Sequence, residues 1–159
     1  MNGIKIFGKK QKKDYGKAQK LSRIDYGFHE LIEPVRDGIK DYYWILDNQD
    51  FKYFSDYENK YDELIIEESQ LTRLTRKGFI PDYAKYIIQE WGQIYGIKDK
   101  LSIATINLNK DFIKKTVDIY FSCIDGAYWE VYARNAEIIE KIRKEFPFSK
   151  SIALGEKKY

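Results

Sequence analysis

The chain predicts an α+β domain: an antiparallel sheet with helices packed on one face. Three stretches carry that expectation. Val117, Ile119, Phe121 and Cys123 alternate with Asp118, Tyr120 and Ser122, the two-residue period of a half-buried strand. Past Asp125-Gly126 the alternation resumes, with Ala127, Trp129, Val131 and Ala133 set against Tyr128, Glu130 and Tyr132. Next comes Asn135, a helix-capping residue, before Ile138, Ile139, Ile142 and Phe146 at helical spacing, with Pro147 as the stop.

The alternation also constrains the turn of the hairpin. A two-residue loop at Asp125-Gly126 pairs Cys123 with Tyr128 and Phe121 with Glu130, which mixes the faces. A three-residue loop, Ile124-Asp125-Gly126, pairs Cys123 with Ala127, Phe121 with Trp129 and Ile119 with Val131. It ends on glycine, as a type I turn followed by a left-handed residue requires. The three-residue loop is therefore expected, with Phe121 and Trp129 stacked across the hairpin inside the core.

The remaining elements follow in chain order. Residues 1–20 contain seven lysines and three glycines and predict a flexible basic N-terminal arm, leaving 21–159 as a single α+β domain. The spacing Gly3-x-x-x-x-Gly8-Lys9 imitates a phosphate-binding loop, but Lys10 stands where Ser or Thr must hold magnesium. Phe28, Leu31, Ile32 and Val35 give a short amphipathic helix interrupted by Pro34 and ended by Gly38. Tyr42 to Asp47 reads as a buried strand, and Glu63 to Glu67 as another, followed by a helix capped at Ser69 and running to Lys77. One continuous helix from Tyr57 to Lys77 is the competing reading. A further helix is expected from Pro81 to Tyr95, with Tyr83, Ile87, Ile88, Trp91 and Ile94 inward and Gly96 at its end. Ile103 to Leu108 reads as a strand and Asn109-Lys110 as a turn into the hairpin.

Composition narrows the function. The 159 residues are 43% apolar, enough for one core, and contain no apolar run of membrane-spanning length. A single cysteine excludes an internal disulfide, and the polar N-terminus is not a secretory signal, so the cytoplasm is the expected compartment. The net charge is only +3, yet residues 1–23 hold eight Lys/Arg against one acid, and residues 41–68 hold nine acids against two lysines. Two faces of opposite sign are expected.

Candidate chemistry is sparse. His29 is the one histidine and lies among the apolar residues of its helix, without an orienting carboxylate in the pattern. Cys123 alternates with Phe121 and reads as a small core residue. With one of each, no transition-metal site of His and Cys ligands can be assembled, and the acids near residue 50 lack calcium-loop spacing. No enzyme and no cofactor are expected. The stronger signal is recognition. Eight aromatics fall within residues 42–61, more than one strand and one loop can bury, and acids are interleaved with them. Aromatic anchors ringed by carboxylates suit a basic protein partner. Asp47, Asp50, Tyr53, Asp56, Tyr57 and Glu58 are the expected partner-binding residues. The alternative is a nucleic-acid-associated protein that neutralises phosphate with the basic arm; the visible platforms of single-strand binders are missing, and nucleic acid is the less favoured partner.

Two stretches together resemble a known group. Tyr42-Tyr43-Trp44-Ile45-Leu46-Asp47 is one. The other is Phe121-Ser122-Cys123-Ile124-Asp125-Gly126-Ala127-Tyr128-Trp129-Glu130, continued by Ile138 to Pro147. Both are similar to small bacterial immunity proteins, encoded beside the secreted toxins of polymorphic toxin systems. The resemblance implies an α+β binding protein that protects its own cell by holding a toxin domain. It transfers no functional residue, because such families share no catalytic motif. The basic N-terminus and the positive net charge depart from immunity proteins that mimic phosphate against nucleases.

Overall fold

In a computed structural model, the structure describes residues 1–7, 26–47, 65–69, 72–86, 92–124 and 127–154. The fold is α+β. Strands β1 (Asn2–Phe7), β2 (Tyr43–Asp47), β3 (Ile65–Glu68), β4 (Thr72–Thr75), β5 (Gly92–Ile97), β6 (Ile119–Ile124), β7 (Tyr128–Ala133) and β8 (Ser149–Ala153) form one sheet. Its order is β3-β4-β2-β5-β6-β7-β1-β8, and every pairing is antiparallel. Helix α1 (Phe28–Ile32) continues through a 3-10 turn into α2 (Arg36–Ile39); α3 (Phe79–Tyr83), α4 (Lys110–Thr116) and α5 (Ala136–Glu145) complete the helices.

The main core lies between one face of the sheet and α1, α2, α3 and α5. Ile4, Ile6, Trp44, Leu46, Ile94, Phe121, Trp129 and Val131 point into it from the strands, and Leu31, Ile39, Phe79 and Ile142 meet them. Phe28 joins the two hairpin aromatics: its ring is 5.1 Å from Phe121, edge on, and 5.9 Å from Trp129. A smaller cluster on the opposite face, around Ile45, Leu74, Tyr95, Ile97 and Val117, is covered by Ile113 of α4 and by Leu101, Ile106 and Leu108.

The hairpin and its helix form as the pattern predicts, with a different register. Cys123 faces Trp129, Phe121 faces Val131 and Ile119 faces Ala133, and the pairing runs to Ile124 and Tyr128. The shift from the expected pairing is two residues. An even shift leaves every side chain on its face, so alternation alone cannot distinguish the two registers. Asn135 caps α5 as expected, its side chain accepting from Glu137 N at 3.0 Å.

Four expectations are corrected. The chain from Asn2 to Phe7 is not a flexible arm: it is β1, hydrogen-bonded between β7 and β8, with Ile4 and Ile6 fully buried. The alternation of Ile4 and Ile6 with Lys5 and Phe7 is a strand signal that the lysines mask; residues 8–20 lie outside the described residues. The helix expected after Ser69 is instead β4. Ser69 N donates to the Thr72 carbonyl at 2.8 Å, which turns β3 back on β4, and Thr72 and Thr75 suit a strand. Gly78, just past the end of the expected helix, takes a left-handed φ of 76° and joins β4 to α3.

The long helix to Tyr95 also gives way. A 3-10 turn follows α3 at Ala84–Tyr86, and Gly92–Ile97 is a strand. Gly96 sits where β2, β5 and β6 pack closely. A Cβ there would lie 2.6 Å from Ile119 Cγ2 and 2.9 Å from the Trp44 ring. Finally, Ile103–Thr105 is a 3-10 turn rather than a strand, and Asn109 caps α4 by accepting from Phe112 N at 2.9 Å.

Candidate functional site

Of the residues expected to bind a partner, Asp47 alone falls within the described residues. Asp50, Tyr53, Asp56, Tyr57 and Glu58 lie outside them. Asp47 ends β2, after Trp44, Ile45 and Leu46, which are fully buried. Its carboxylate accepts from the Thr72 hydroxyl at 3.3 Å. Burial raises its pKa above the ordinary carboxylate value, and the Thr72 bond offsets part of that rise.

The registers place Asp47 in a polar row across the sheet, on the face opposite the main core. Thr72 stands beside Asp47, Asp47 beside Gln93, Gln93 beside Ser122, and Ser122 beside Glu130. Adjacent strands are about 4.8 Å apart, so the row from Asp47 to Glu130 extends for about 14 Å. One register step away runs an aromatic row, Tyr95, Tyr120 and Tyr132. Tyr95 and Tyr120 stack at 4.7 Å and Tyr120 and Tyr132 at 5.6 Å, all nearly parallel. Parallel stacking over successive strands keeps their hydroxyls on one side, toward the polar row. Tyr132 donates to Glu130 Oε2 at 3.2 Å, within a buried pair.

Desolvation dominates the electrostatics of this array. Burial holds the Tyr95 phenol far above its ordinary range, with Tyr120 and the Asp47 charge adding to the effect. Tyr132 is raised by burial and then by the charge of Glu130. Ser122 is 1% exposed, and its Oγ completes no hydrogen bond among the described residues, although it lies beside the Tyr120 hydroxyl. The array thus consists of neutral phenols, hydroxyls and carboxylates. It can donate and accept hydrogen bonds.

The other chemical candidates separate in space. Cys123 is 1% exposed in the main core, whereas the His29 side chain is half exposed and 3.7 Å from Glu30. They do not share a solvent-accessible site. Among the described residues no three His, Cys, Asp or Glu side chains gather where a metal ion would sit. No helix among them is long and apolar enough to cross a membrane.

The tyrosine and glutamate array escaped the sequence pattern. Tyr120, Ser122, Glu130 and Tyr132 were legible as the polar alternates of two strands; that β5 aligns Tyr95 and Gln93 with them was hidden by the helical spacing of residues 83–94. The chain matches no protein-family model, no curated protein and no solved structure.

Proposed function

We propose that this chain is a protein-binding module of the immunity type. It acts in the cytoplasm without catalysis, and it holds and neutralises a cognate toxin domain through the acidic, aromatic segment that begins at Asp47. One observation supports this reading. Strand β2, with its three central residues fully buried, hands the chain on at Asp47, beside Thr72 at the start of β4. Strand β3 begins at Ile65, paired with Thr75 at the far end of β4. The recognition segment is therefore tethered to hydrogen-bonded strands at both ends, which lowers the entropy lost when it docks.

In this reading aromatic side chains supply most of the affinity, and the carboxylates steer a basic partner and set its register. The partner is captured with the tagged full chain and the kinetics are then measured. Tyr53→Ala or Tyr57→Ala should weaken the complex by about 1–2 kcal/mol or more, mainly through faster dissociation. The combined Asp50→Lys, Asp56→Lys and Glu58→Lys variant should associate more slowly and with less salt dependence. Parental rates for both variants would overturn the assignment.

A further inference from the structure

A second feature lies at the other end of the sheet, at β8, and does not depend on the function proposed above. Among the described residues β8 is an edge strand of the sheet, paired on one side with β1. Phe7 N donates to the Phe148 carbonyl at 2.9 Å. Alternation along an antiparallel pair then turns the N–H and C=O of Ser149, Ser151 and Ala153 outward, away from β1. Between this edge and α5 lies a pocket of about 200 Å³, lined by Ile139, Asn2, Ser151, Arg143 and the acidic Glu140 among others.

Arg143 is the unusual member. One terminal nitrogen donates to Ser151 Oγ at 2.9 Å. Its Nε is shielded from solvent and makes no hydrogen bond among the described residues, although Glu140 Oε1 is 3.4 Å away. A shielded guanidinium N–H without an aligned acceptor is costly, and a planar carboxylate is the group that best fits a guanidinium. On the sheet's opposite face, Lys150 stands across from Lys5, and Glu130 stands on the other side of Lys5.

We infer that the open edge of β8 binds an extended acidic peptide. The peptide adds as a ninth strand on the outward N–H and C=O of Ser149, Ser151 and Ala153. The residue opposite Ser151, about 5 Å from it across the new ladder, projects into the pocket and places its carboxylate on Arg143. A second copy of this chain is a poor occupant, because β8 paired with β8 around Ser151 would bring two Arg143 side chains to one place. Lys150 alone would be the ordinary charge that keeps an edge strand from aggregating. The pocket and the unaligned Arg143 Nε are what that role leaves unexplained.

The test uses the full chain, isotope-labelled, and the capped heptapeptide Thr-Val-Thr-Glu-Thr-Val-Thr with its central Gln analogue. The Glu peptide should perturb the amide signals of Ser149, Ser151 and Ala153 and slow their hydrogen exchange. Arg143→Gln, or the Gln peptide, should weaken binding at least tenfold, whereas Glu140→Gln should tighten it by removing the competing carboxylate. Ser151→Pro deletes an outward N–H that β1 does not use, and should abolish binding while the fold persists. If that variant does not fold, a peptide N-methylated at the central residue replaces it. The inference is overturned by no amide perturbation at millimolar peptide, by equal affinity of the Glu and Gln peptides, or by concentration-dependent self-association through β8.

Discussion

Trp129→Ala probes the packing on which the domain rests. Trp129 is 1% exposed, its ring packs on Phe28 at 5.9 Å, and its Nε1 donates to the Tyr26 carbonyl at 3.1 Å. An aromatic side chain buries roughly 200 Å², which at about 25 cal/mol/Å² is about 5 kcal/mol, an upper value because the unfolded chain is itself partly compact. Truncation in a close-packed core costs about 3–5 kcal/mol, and the hydrogen bond to Tyr26 adds about 1 kcal/mol. The expected loss is therefore about 4–6 kcal/mol, a large share of a typical stability of about 5–15 kcal/mol. Urea unfolding followed by circular dichroism measures it, the slope staying constant while the midpoint falls. Trp129→Phe keeps most of the packing and should lose only about 1–2 kcal/mol. Phe28→Ala combined with Trp129→Ala should be non-additive, because the two rings touch. A loss below about 1 kcal/mol for Trp129→Ala would refute the packing argument.

Gly3→Ala tests whether the N-terminus belongs to the sheet. The added Cβ would lie 2.5 Å from Tyr132 Cδ1 and 2.9 Å from the Val131 carbonyl, so a loss of about 1–3 kcal/mol in urea unfolding is expected, whereas a free arm would tolerate it. Asp47→Asn should raise the melting temperature at neutral pH. The folded pKa of Asp47 lies above 3.8, so its ionised form costs stability, and that cost disappears as pH falls through the raised value. The benefit of the substitution should shrink in the same window, and a benefit independent of pH would count against it. Tyr95 and Tyr132 hold their protons more tightly folded than unfolded, so stability should fall as pH rises past their ordinary value of 10.0. Their tyrosinate absorbance should appear together with unfolding, and ionisation of all tyrosines in the folded protein would contradict the buried array.

The hairpin and α5 were legible because two independent signals agreed there: a two-residue period with a glycine turn, and a cap with a helical stripe. Elsewhere single signals misled. Ile94 served equally as the last member of a helical stripe from Tyr83 and as the inward residue of β5, and its pairing with Leu46 and Phe121 decides between them. Ile4 and Ile6 are two apolar residues among lysines; their burial comes from β7 and β8, far away in the chain. For the same reason the polar row escaped notice. Asp47 was singled out for its neighbours in sequence, but Gln93, Ser122 and Glu130 join it only through three strand pairings.

The measurement that tests the central claim most directly is protection of growing cells. The captured partner domain is expressed with and without this chain, and colony formation is scored. The parent chain should restore growth. The Tyr53→Ala, Tyr57→Ala double variant should fail to do so at equal abundance and with an unchanged melting curve. Growth restored equally by both, or killing unrelieved by an abundant parent chain, would contradict the account.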